Sequence, residues 1–256
     1  MLWWPNTDDD LVCHVWESSK TYVLSSIGFT FIVFVVGSLV WWTPSVVIYS
    51  IGMSGTKVDA GVTAHVNLIF GIISVVSGFA GVFLGSSLAS WWKHTNPAAD
   101  PLVCGWSALC AVPFAFFALT LVHRSLMAGW FCVFVAVTLL CFNWPVVMDM
   151  LLYIIVPTRR STASAFQILL SHLLGDAFSP YLIGQISDIL LAGDDSYSGR
   201  FHALQSSLYV TVFVLVLGAF MFLVASWFVE ADRLKAIEDM KIGWLTMTEC
   251  ICVAVV

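Results

Sequence analysis

Six long apolar stretches separated by short polar ones dominate this chain. Val23 to Trp42, His65 to Trp92, Leu102 to Val122, Leu126 to Met148 and Leu204 to Val229 contain no Asp, Glu, Lys or Arg. A helix needs about 20 apolar residues to cross about 30 Å of hydrocarbon, so each stretch predicts a membrane span. Ser161 to Ile186 is the sixth and differs from the rest. It holds Asp176, with His172 one helical turn before it. The connectors are short and turn-rich: "KHTNPAADP", "VHRS", "VPTRRS" and "LAGDDSYSGRFHA". Pro157 ends the helix before it, because proline removes a backbone donor and disfavours helix at the preceding residue.

Composition turns this pattern into a class. Hydrophobic residues make up 60% and charged residues 10%, with a mean hydropathy of +0.94. A soluble domain carries about 25% charged residues, so this chain could not cover itself with a hydrated surface. It reads as an all-α, polytopic membrane protein of six helices. Residues 21–235 form the membrane unit. Residues 1–20 are an atypical N-terminal segment, whose "NTDDD" does not suit a signal peptide, and 236–256 read as a poorly ordered tail.

The distribution of basic residues predicts orientation. With six spans, Lys20, Lys93, Arg159, Arg160, Arg233, Lys235 and Lys241 fall on one side, and Lys57, Arg124 and Arg200 on the other. Lys and Arg concentrate in cytoplasmic loops, so both termini are expected in the cytoplasm. The net charge of −6 says little about partners, and no nucleic-acid partner is expected.

Chemistry is sparse. The seven cysteines show no zinc-type spacing, and Cys104, Cys110, Cys132 and Cys141 lie within spans. Neither a metal nor a cofactor is expected. There is no G-x-x-x-x-G-K-[ST] for ATP and no protease-like serine motif, so the chain does not read as an enzyme. Gly81 and Gly85 form a small-xxx-small face suited to close helix packing. Pro44, Pro113, Pro145 and Pro180 are possible hinges or static kinks.

Titratable groups at membrane depth are costly and tend to mark pathways. Asp149 and Asp176 are the two carboxylates that qualify. Asp149 lies about 10 Å inside its helix end at 1.5 Å per residue, and Arg159 or Arg160 could fold back to pair with it. On the fifth span, Gln167, Ser171, Gly175 and Ser179 share a stripe beside His172 and Asp176. That stripe is expected to face the bundle or a wet cavity. The pair either shares a proton and binds a headgroup or simply satisfies its own hydrogen bonds. Spans three and six are the most uniformly apolar and are expected at the periphery.

"NWPVVMDMLLYIIVPTRRSTASAFQILLSHLLGDAFSPYLIGQISD" resembles the spinster family of the major facilitator superfamily, at its tenth and eleventh helices. "NPAADPLVC", "FHALQSSL" and "FVEADR" resemble it as well. The resemblance implies helices seven to twelve, one half of a carrier that works by alternating access. It implies a lysophospholipid or sphingolipid-type substrate, proton coupling, and a lysosomal, late endosomal or plasma membrane. Trp144 and His172 then fall where the family contacts lipid, and Arg159 and Arg160 in its cytoplasmic loop. The partners implied are substrate, protons, membrane lipids, and a missing N-terminal half or a second copy. Ser164, Phe178 and "SWWKH" depart from the family pattern. The competing expectation is a truncated or regulatory membrane protein that does not transport.

Overall fold

The computed structural model describes residues 19–194 and 196–254; the atypical N-terminal segment therefore lies almost wholly outside the described residues. Every regular element among the described residues is helical. Five stretches are long and apolar enough to cross a membrane by length and composition. They are α1 (Lys20–Met53), α2 (Ala60–Lys93), α3 (Ala99–Leu121), the consecutive pair α4 (Leu126–Cys141) and α5 (Asn143–Ile154), and α8 (Tyr197–Ala225).

The fifth expected span is present but not continuous. A short 3-10 turn (Pro157–Arg159) leads into α6 (Arg160–Leu170), then a π-helical segment (Ser171–Ala177), then α7 (Ser179–Leu191). The sequence predicted one helical span with a hinge or kink at Pro180, and the irregularity begins earlier, at Ser171. Pro180 explains part of the break, since it has no amide hydrogen to give the carbonyl of Asp176 one turn earlier. After α8 the chain continues as α9, which runs Val229–Ala254.

Side-chain caps start four of the helices. Ser19, Asp59, Ser125 and Ser196 accept the amides of Tyr22, Val62, Ala128 and Gly199, satisfying donors that the first helical turn leaves open. At the end of α7, Ala192 and Gly193 both have positive φ, 48° and 88°, and turn the chain back toward α8. Both α1 and α2 have 34 residues, about 50 Å at 1.5 Å per residue. They must tilt or extend past the hydrocarbon.

Packing runs in an arc. α2 lies on α4, α4 on α3, α3 on α8, α8 on α1, and α1 on the broken fifth span. Spans three and six, expected at the periphery, pack on each other as a back layer and leave Phe116, Phe117, Phe213 and Phe220 exposed. α2 is the least covered of the spans, with 22% of its apolar window buried. Its buried positions, Val66, Phe70, Ser77, Gly81, Gly85 and Ala89, are nearly all four apart and form one narrow seam. A Cβ on Gly81 would stand 2.5 Å from the Thr138 carbonyl oxygen, and one on Gly85 2.7 Å from Cα of Phe142. The small-residue face therefore seats α2 directly on the backbone of α4.

Candidate functional site

The polar stripe of the fifth span is a helix–helix seam. Gln167 and Ser171 are buried against α1. Nε2 of Gln167 donates to Oγ of Ser26 at 3.1 Å, and the Tyr22 hydroxyl donates to the Ala163 carbonyl at 2.8 Å. Higher up, Gly175 sits against Val33 and Phe34. Gly37 faces Cα and Oδ1 of Asp176 and Oγ of Ser179. Of the bundle or the wet cavity, this stripe takes the bundle. Buried polar groups in a membrane need such partners.

His172 and Asp176 sit just off this seam. Nδ1 of His172 lies 2.7 Å from Oδ2 of Asp176, and their side chains are 56% and 40% exposed. Both belong to the π-helical segment, an irregularity frequent at functional sites. Here the wider turn carries a titratable couple onto the outer side of α1, while neighbouring Ser171 and Gly175 stay buried.

Trp144 occupies a second position. It opens α5, packs edge-on against Phe29 at 5.2 Å between ring centroids, and borders an open cleft of about 770 Å³. Phe79, Phe83, Ser74 and Ser86 of α2 line the opposite wall. Phe29 and Gly37 are eight residues apart on α1, about 12 Å along its axis and about 80° around it. Trp144 and Asp176 are thus mounted on neighbouring faces of one helix.

Asp149 lies elsewhere, toward Lys93 at the end of α2. Its carboxylate is 3.9 Å from Nζ of Lys93 and half exposed. Nε of Arg160 instead donates to the Ile155 carbonyl at 3.0 Å, closing the turn after α5. Arg159 lies in the 3-10 turn.

Sequence reasoning missed the most buried charge. Asp100, in the first turn of α3, is 0% exposed. Its Oδ2 accepts Nζ of Lys93 at 2.8 Å and the Tyr153 hydroxyl at 2.7 Å. Lys93 and Arg233 stand over the Tyr153 ring at 5.3 and 5.5 Å. Its signal was the acidic residue at a helix start, favoured by the positive end of the helix dipole, a turn after a lone lysine. Among the described residues no group of three or more His, Cys, Asp or Glu could hold a metal ion.

Comparison with known proteins places this arrangement. The chain is 46% identical over 223 residues to protein spinster homolog 1 of Homo sapiens, covering 85% of this chain. It is 39% identical over 229 residues to protein spinster homolog 3 of Danio rerio, covering 88%. The chain belongs to the spinster family. It spans 42% and 46% of the length of those two relatives. No protein-family model matches it. A crystal structure described as a bacterial homolog to human lysosomal transporter, Spinster, in inward-facing and occupied conformation aligns at TM-score 0.70 and 19% identity. The alignment covers 85% of this chain and 51% of that one. The spinster-family chain is therefore all-α and multi-pass, with the architecture of one half of a major facilitator fold.

Proposed function

We propose that this chain is half of a spinster-type carrier that moves a lysophospholipid or sphingolipid-type substrate across a membrane, coupled to protons. The observation that carries the reading is the His172–Asp176 pair, hydrogen-bonded and open on the surface of an otherwise apolar span. Titratable groups at this depth turn to a bundle interior or a water-filled cavity. Their exposure in a half-fold marks a surface that a complementary half, or a second copy of this one, completes.

The chemistry follows from the two positions on α1. A protonated His172 held by the Asp176 carboxylate offers a fixed cationic donor to an anionic headgroup, and charge-assisted bonds of this kind are the strong ones. The apolar cleft beside Trp144 accepts the alkyl chain. Loss of the proton removes the positive partner and releases the headgroup, so substrate and proton move together. Arg159 and Arg160 then lie at the cytoplasmic mouth, and rocking of one half against the other completes the cycle. The kinship of the bacterial structure to a lysosomal transporter favours a lysosomal or late endosomal membrane over the plasma membrane.

The test is uptake of a lysophospholipid and of a phosphorylated sphingoid base into proteoliposomes containing this half with its complement. His172→Ala and Asp176→Asn are expected to abolish uptake driven by a pH gradient while leaving membrane insertion intact. Undiminished uptake in both variants would remove the pair from the mechanism.

A further inference from the structure

α1 grips the fifth span at successive levels along its length. Tyr22 and Ser26 bond to α6, and Val33 to Gly37 cover the π-helical segment. Beyond that segment, Nε1 of Trp42 donates to the Pro180 carbonyl at 3.0 Å. The indole also lies across Gly184, where a Cβ would stand 3.0 Å from the six-membered ring. Trp42 thus holds the first two turns of α7 by an N–H bond to Pro180 and by an indole edge on Gly184, where an added Cβ would have to push the ring back.

The level it holds lacks regular helical hydrogen bonds on both sides. Pro180 gives no amide to Asp176, the π turn lies immediately before it, and on α1 Pro44 gives none to Val40, two residues before Trp42. Kinks of this type are where helices bend. Both helices are therefore loosened at one height, and Trp42 bridges them there.

We propose that Trp42 is a positioning residue for transport: its indole latches α7 onto α1 across a hinge at Ser171–Pro180, and thereby sets where His172 and Asp176 stand. This rests on the carrier reading for its consequence, though not for its geometry. Latch closure keeps the pair against Gly37. Latch release lets α7 swing and carries the pair with it. The indole reaches neither the headgroup pair nor the cleft at Trp144, so it acts on the rate of the conformational step and not on substrate affinity.

The test uses Trp42→Phe, which keeps a ring but removes the donor, and Gly184→Ala, which keeps the indole but removes its seat. Amide exchange of the full chain in lipid nanodiscs is expected to rise about fivefold over residues 179–191 in each variant, the effect of one neutral hydrogen bond, with α3 and α8 unchanged. In the assembled carrier, the maximal rate of lysophospholipid uptake changes severalfold in both variants at unchanged half-saturation. Unaltered exchange in both variants overturns the latch, whatever the protein transports. Raised exchange with an unaltered rate, or an altered half-saturation at unaltered rate, overturns the positioning role. If His172→Ala leaves uptake intact, the carrier site fails separately and the exchange result still decides the latch.

Discussion

Asp232 accepts the amide of Thr21, 211 residues earlier in the chain and in the first turn of α1. Its Oδ2 accepts the Thr21 amide at 2.7 Å and the Ser19 hydroxyl at 3.0 Å, joining α9 to the start of α1. The first-turn amides of a helix have no partner inside it, and here a distant carboxylate supplies one. Asp232→Ala is expected to destabilise the protein by about 1–2 kcal/mol and to speed amide exchange at 20–23. Asp232→Asn, which retains an acceptor, should recover most of the loss. Equal exchange in all three proteins would show that the cap does not hold α1.

The buried carboxylate of Asp100 leads to a second expectation. Removing one partner of a buried ion pair costs several kcal/mol because the other charge is stranded. Lys93 is about a third exposed and can turn to Asp149, so the loss for Asp100→Ala is expected at about 2 kcal/mol. Tyr153→Phe removes one hydrogen bond and should cost about 1 kcal/mol. Thermal unfolding in detergent, with Asp149→Asn as the control, separates these contributions.

Two glycines on α2 should respond oppositely to the same substitution. Gly81→Ala drives a Cβ into the Thr138 carbonyl and Cys141, and overpacking of this kind costs about 1–3 kcal/mol. Around Gly78 nothing lies within 4 Å. Alanine there should be neutral or stabilising by up to about 1 kcal/mol, since it favours helix over glycine. Unfolding midpoints of the two variants check the sign.

The loop before α8 provides a pH-dependent case. The Ser196 amide and hydroxyl hold the Asp194 carboxyl below the usual carboxylate range. A depressed folded-state value means that the contribution is complete at neutral pH. It is lost as pH falls through that lowered value, when the carboxyl protonates. Ser196→Ala removes the hydroxyl but keeps the amide, so it should relieve the lowering of Asp194 only in part, and it should fray the first turn of α8, where Ser196 accepts the Gly199 amide. Carboxyl chemical shifts followed through acid titration report both effects.

Much of the candidate site was visible in the letters, and the reasons differ from residue to residue. His172 and Asp176 stood out because two ionisable groups in one apolar segment are costly wherever the helix points. Trp144 came from resemblance to a family, since a tryptophan near a helix start has no distinctive spacing. Asp149 stood out as a second carboxylate in an apolar segment, but its nearness to Lys93 was not legible, because that lysine belongs to another helix. Trp42 carried no signal at all until Pro180 and Gly184 were seen beneath it.

Membrane insertion is settled segment by segment, since transfer of about 20 apolar residues into hydrocarbon depends on their own side chains and hardly on their neighbours. The amino-acid order alone therefore sufficed for the helical class, for five of the six expected spans and for the two costly charges. Which side of each helix meets another helix is a different kind of quantity, fixed by contacts between residues far apart in the chain. Folding was needed to bury Gln167 while leaving His172 open, to split the fifth span at its π turn, and to bring Asp232 to Thr21. Each of these depends on a surface contributed by another helix, and no local pattern in the chain encodes that surface.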